Sequence, residues 1–210
     1  ASARASALTV GTVNGGNCAP FDCSPSFSVT RYQQVYSAAA FGDPTSLLSI
    51  TDLTFFIFTS FGGGQFGGSS FAVSLSTTSA PVQALSLTMD DNVGADNVLF
   101  WTGTLTGDVE PALTLSGGPF LYDPLAGNLL MDISISGGVA QFVFQGEDDT
   151  GALMSRMFSN GTSYADEAGL VTQFTYTSQP RPAAVPEPAS LALLATGLLA
   201  VRRLKARLPA

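Results

Sequence analysis

Between Phe27 and Thr177, apolar and β-branched residues alternate with Ser, Thr, Gln or Asp, and Gly or Pro separates the runs. A two-residue period places every second side chain on one face of an extended chain, so each run predicts a strand with one buried face. The runs fall at about Ser26–Tyr36, Leu48–Ser60, Ser70–Thr78, Val82–Met89, Val98–Leu105, Ala112–Leu115, Leu129–Ser136, Val139–Gln145, Leu153–Phe158 and Leu170–Thr177. Before Ala189 no run has an apolar stripe at a spacing of about 3.6, so helices should be short or absent there. Many short strands in one domain must close two sheets or a barrel. Inward alternation on nearly every run favours an all-β fold, an antiparallel β-sandwich of jelly-roll-like form. The glycine-rich segment at residues 62–70 (GGGQFGGSS) reads as a hairpin or loop, since it lacks the Lys and following helix of a phosphate cradle.

The chain divides into an N-terminal segment at 1–25, a sandwich at 26–177, a Pro-rich linker at 178–188 and a C-terminal segment at 189–210. The opening ASARASA has the A-x-A pattern that precedes a signal-peptidase cut, so the first residues are expected to be the end of a leader. Ser178 to Pro188 (SQPRPAAVPEP) suits an extended spacer rather than a sheet. Ala189 to Val201 is a thirteen-residue uncharged run of good helix formers, followed directly by Arg202 and Arg203. As a helix it would be roughly 20 Å long against a hydrocarbon core of about 30 Å. It is a short transmembrane helix at best, with its basic end on the cytoplasmic side.

Val185, Pro186, Glu187 and Pro188, then an apolar helix, then Arg202 and Arg203 resemble the PEP-CTERM sorting signal of Gram-negative bacteria. The resemblance implies processing by an exosortase, a membrane-embedded transpeptidase. It also implies a transient tether in the inner membrane through Ala189 to Val201, then a place at the cell surface or in an extracellular matrix linked to exopolysaccharide and biofilm. Two strings in the body look familiar as well: Arg31-Tyr32-Gln33-Gln34-Val35-Tyr36 with Phe41 following, and Tyr122-Asp123-Pro124 followed by Gly127 to Ile133. The second is similar to a string that recurs in the exported domains of PEP-CTERM proteins. Asp123-Pro124 and Gly127-Asn128 are turn-forming pairs that lead into a buried strand, which accounts for the second string structurally.

Charged residues make up only 11% of the 210 residues, well under the usual quarter or so, while Gly, Ser and Thr abound, a balance typical of exported β-domains. Residues 1–184 carry Arg4, Arg31, Arg156 and Arg181 against fifteen carboxylates, which leaves no basic stripe for nucleic acid. Cys18 and Cys23 are the only cysteines, and in an oxidising compartment a small-loop disulfide is the expected state. With no histidine, the chain lacks Ser-His-Asp and Cys-His nucleophile systems and His-based zinc sites.

A paired-carboxylate glycosidase remains conceivable through Asp132, Glu147, Asp148 or Asp149, but Trp101 is the sole tryptophan and no aromatic cleft is signalled. The expectation is a protein without catalytic residues and without a cofactor, calcium aside. The segment MDDNVGADN offers Asp90, Asp91, Asn92, Asp96 and Asn97, of which Asp90, Asn92 and Asp96 are the calcium candidates. Solvated turns explain the same residues more simply, as an ordinary turn explains Asn160-Gly161-Thr162. Two functions stay open: a passive surface or matrix component, and a carbohydrate-binding module that stacks sugars on Trp101, Tyr32, Tyr36 or Tyr122.

Overall fold

The structure, a computed structural model, describes residues 4–21, 28–42, 45–58, 65–108, 111–137, 144–147 and 153–182. By contact density the chain separates into Ala1–Pro180 and Arg181–Ala210. The apolar run Ala189–Val201 lies outside the described residues. Among those described, no helix is long and apolar enough to cross a membrane.

The first unit is built from β1 (Ala5–Val10), β2 (Gly15–Asn17), β3 (Arg31–Tyr36), β4 (Ser46–Phe56), β5 (Gln65–Thr78), β6 (Val98–Asp108), β7 (Ala112–Tyr122), β8 (Asn128–Gly137), β9 (Phe144–Glu147), β10 (Met154–Ser159), β11 (Ser163–Asp166), β12 (Gly169–Leu170) and β13 (Thr172–Pro180). One sheet has the order β1-β13-β4-β7, the second β11-β10-β3-β8-β5-β6, and a small third sheet β12-β9-β2. Every pairing is antiparallel. The larger two sheets pack face to face, as expected for a sandwich.

Alternation sets which side chains meet between the sheets. Tyr32, Gln34 and Tyr36 of β3 point inward beside Leu129, Met131 and Ile133 of β8, and opposite them stand Leu53 and Phe55 of β4 and Phe174 of β13. At one end Phe21 closes the core, its ring centroid 4.5 Å from that of Phe144, 5.5 Å from Phe71 and 5.6 Å from Phe55. Such edge-on and tilted pairs add to the gain from burying apolar area.

Beyond the short strands β2 and β11, which no run signalled, the structure departs from the sequence reading at four longer stretches. Ala5 to Ala7 of the ASARASA stretch, expected to be the end of a leader, are part of β1 (Ala5–Val10), registered along β13 from Ala5 opposite Thr177 to Val10 opposite Thr172. Val82–Met89, read as a strand, instead belongs to a strap between β5 and β6 that crosses the outer face of the six-stranded sheet. Val82, Leu85, Met89 and Val93 of the strap cover Val35, Leu130 and Met157, and this second apolar cluster demands a spacing of three or four rather than two. Gln65–Ser70, read as loop, extends β5 because each residue but Gly68 pairs across to β6. β7 runs on to Tyr122 past Gly117-Gly118, where the backbone of Gly117 passes so close to Phe100 that a Cβ would lie 2.4 Å from the Phe100 carbonyl oxygen.

Candidate functional site

The two familiar strings of the body are neighbouring central strands. β3 lies beside β8 with Gln33 opposite Asp132 and Gln34 opposite Met131. On the inner side, Gln34 Oε1 accepts from the Tyr32 hydroxyl and from Leu170 N at 2.7 Å, while its Nε2 donates to Leu170 O at 2.9 Å. The Tyr36 hydroxyl meets Thr172 Oγ1 at 2.8 Å, and Tyr122 donates to Gly127 O at 2.8 Å. Burial drives the phenols of Tyr32, Tyr36 and Tyr122 well above the ordinary tyrosine range.

On the outer side, Arg31 grips Asp132 with two bonds, Nε to Oδ1 at 3.0 Å and Nη2 to Oδ2 at 2.6 Å. Gln33 Nε2 adds a bond to Asp132 Oδ2 at 3.1 Å and one to Met89 O at 2.9 Å. Hydrogen bonding to Asp132, with a further bond to Asp90, keeps the Arg31 guanidinium even more firmly protonated than usual. Asn92 Nδ2 donates to Gln33 Oε1 at 3.0 Å and Ser86 O at 2.9 Å, while its Oδ1 accepts from Ser86 N at 2.8 Å. This network fastens the strap to the sheet, and unmet polar groups there would be costly.

The three calcium candidates therefore have separate protein partners. Asp90 binds Arg31 Nη1 at 2.6 Å, Asn92 is buried in the network above, and Asp96 Oδ1 accepts from Thr77 N at 2.7 Å. Among the described residues no group of three or more Cys, Asp or Glu is gathered in a way that could hold a metal ion.

The glycosidase candidates are not brought together among the described residues. Asp132 is committed to Arg31, while Asp148, Asp149 and the side chain of Glu147 lie outside the description. The stacking surface expected of Tyr32, Tyr36 and Tyr122 is overturned: each is 0% exposed, because successive positions of β3 and of β7 face opposite sides and these aromatics took the core side. Trp101 is partly buried, its indole laid over Gly103, where a Cβ would come within 2.7 Å of the ring. Among the described residues an aromatic with an open face is Tyr164, 50% exposed and stacked on Phe158, which strand alternation alone did not single out.

Near the small sheet, Cys18 is disulfide-bonded, and the chain's one other cysteine, Cys23, lies outside the described residues. Next to it Asn17 Oδ1 accepts from Ala19 N at 3.1 Å and from Arg156. Arg156 also holds Asp166, Nε to Oδ1 at 2.7 Å and Nη2 to Oδ2 at 2.9 Å, and its guanidinium lies over the Phe158 ring. A shallow groove runs here between Gln83 and Leu85 of the strap and Ser155, Ala165 and Glu167.

The turn Asn160-Gly161-Thr162 joins β10 to β11, with Asn160 N donating to Thr162 O at 3.4 Å and Gly161 at φ +100°. That conformation favours glycine.

The body thus ends in β13, an interior strand of the four-stranded sheet, and the chain continues from Pro180 into the segment that carries Val185, Pro186, Glu187, Pro188, Arg202 and Arg203. Residues 184–207 match the PEP-CTERM protein-sorting motif. No curated protein matches the chain. The chain thus carries a PEP-CTERM sorting motif at its C-terminal end, and that motif implies export, a hold at the membrane and then processing by an exosortase, itself a membrane protein.

Proposed function

We propose that this chain is a non-catalytic component of a Gram-negative cell surface or extracellular matrix, delivered by its sorting segment and at work in exopolysaccharide-rich or biofilm surroundings. The observation that carries the reading is the sorting motif at 184–207 joined to a self-contained β-sandwich. Supporting it, the charged groups at the centre of the six-stranded sheet are spent on one another. Arg31 and Asp132 form a pair that a general acid or base would have to break. The exposed hydroxyl pair of Ser70 with Thr104 at 2.8 Å is neutral and hydrated, a surface chemistry suited to a polysaccharide-rich setting.

Intact-mass measurement of the protein recovered from its native host, beside a strain lacking the exosortase, tests the sorting step. Removal of the tail near Pro186–Pro188 only where the exosortase is present supports the reading. A retained tail in both strains sinks it. Fractionation of the processed protein with the extracellular polymer, rather than with the free medium, is the expected outcome for matrix association.

A further inference from the structure

The edges of the two large sheets are not alike. β11 is four residues long, ends on Asp166 and is followed by Glu167. β7 carries Pro119, which has no N–H to offer, and a register shift between Ile50 and Asp52 in its ladder with β4. β6 has two register shifts along β5 and lies against β7 where Gly117 meets Phe100. Shortness, charge, proline and bulges are the devices by which sheets prevent strangers from adding a strand.

β1 has none of them. Its six residues, ASALTV, contain no charge and no proline, and their register along β13 is unbroken. Ala5, Ser6, Ala7 and Thr9 are exposed. Among the described residues nothing pairs with β1 on its outer side, so alternate backbone N–H and C=O groups along that side face solvent.

We propose that β1 is a self-association edge, at which a second copy of this chain adds its own β1 antiparallel and the two four-stranded sheets become one of eight strands. Charge selects the occupant. The body is strongly acidic, so copies repel over most of their surface, but neither β1 nor its neighbour β13 contains a carboxylate, and Arg4 stands at the head of β1. Two β1 edges can therefore approach with no carboxylates facing each other. A two-fold axis between them gives each edge the partner it offers, the arrangement most homodimers use. Leu8, half-buried against the core, would be covered further. So short a ladder, with Ala7 opposite its own copy and Ala5 opposite Thr9, buries well under the roughly 1,200 Å² of a stable complex, so the association is weak and reversible and depends on crowding of copies.

The test uses the full chain in nonionic detergent micelles, which sequester the apolar C-terminal run, with sedimentation equilibrium and amide hydrogen exchange followed over a range of concentrations. The expected result is a reversible dimer whose added protection is confined to Ala5–Val10. Lysines in place of two exposed residues, Ala5→Lys with Ala7→Lys, should weaken dimerisation by about tenfold or more, because like charges then face each other across the ladder. Thr114→Lys, on exposed β7 of the same sheet, should leave it unchanged. A chain that stays monomeric at every concentration overturns the proposal. So does a dimer whose protection appears on β6, β7 or β11, or one indifferent to the paired lysines.

Discussion

Phe21 offers the sharpest check on how the core is closed. It is 1% exposed, comes from outside the strands, and its ring sits among Phe55, Phe66, Phe71 and Phe144 at centroid distances of 4.5 to 6.3 Å. Phe21→Ala removes a whole buried ring and leaves a hole lined by four other rings that cannot all collapse inward. Phe-to-Ala changes at such sites cost about 3–5 kcal/mol, with the spread set by how far the surroundings relax. The four rings belong to β4, β5 and β9, strands held in their own ladders, so little relaxation is available and about 4 kcal/mol is expected. With about 2–4 °C lost per kcal/mol in a domain of this size, the melting temperature should fall by roughly 8–16 °C. Urea unfolding of the oxidised protein, with the midpoint lowered and the slope unchanged, is the assay. A loss below about 1 kcal/mol would mean that Phe21 leaves the core at little cost, and the reasoning would fail.

Other consequences follow from the same contacts. Asp132→Ala strips Arg31 of two bonds and Gln33 of one, so a loss of about 2 kcal/mol is expected, moderated because Arg31 keeps Asp90; the urea midpoint reads it. Asn92→Ala unfastens the strap, and amide exchange should quicken across residues 80–93 while β3 and β8 stay protected. Gly94→Ala would set a Cβ 1.8 Å from the Thr77 carbonyl oxygen and should destabilise far more than an alanine at Gly118, around which the space is open; paired thermal melts compare them. At alkaline pH the unfolded chain ionises its tyrosines near pH 10, while Tyr32, Tyr36 and Tyr122 stay neutral in the fold. The unfolded state then binds fewer protons, so stability holds up to about pH 10 and declines above it, by about 1.4 kcal/mol per pH unit for each buried phenol. Tyr36→Phe should flatten that decline in urea titrations at rising pH.

Much of the fold could be read from the period-two pattern because burial between two sheets imposes it directly, as along Ser69 to Leu75 of β5, whereas β3, β8 and β10 are buried on both faces where the strap covers them. β1 escaped because ASALTV is short and rich in small residues, so its alternation hardly registers, and what fixes it is a neighbour more than 160 positions away. The stretch VQALSLTM misled in the other direction. It alternates like a strand, yet Leu87 is 62% exposed and the buried positions are Leu85 and Met89, chosen by a flat apolar patch outside the sandwich. The aromatic candidates failed for a related reason, since sequence tells which residues share a face of a strand but not which face meets water. Arg31 could not have been paired with Asp132 in advance, because their register depends on two strands some hundred residues apart, nor Gln33 with Asn92, which is brought to it by the strap. The sorting segment was legible because its recognition is local, carried by consecutive residues rather than by folding.

The place of β13 in its sheet has a mechanical consequence. The strand that leads to the tethering segment is paired with β4 from Thr172 to Pro180 and, on its other side, with β1 from Thr172 to Thr177. Tension drawn through the C-terminal end is thus delivered to the middle of a sheet and must strain two ladders before the strand can slide. An edge strand in that position would peel away one bond at a time. A chain held at a membrane by its tail is gripped where its weave is doubled.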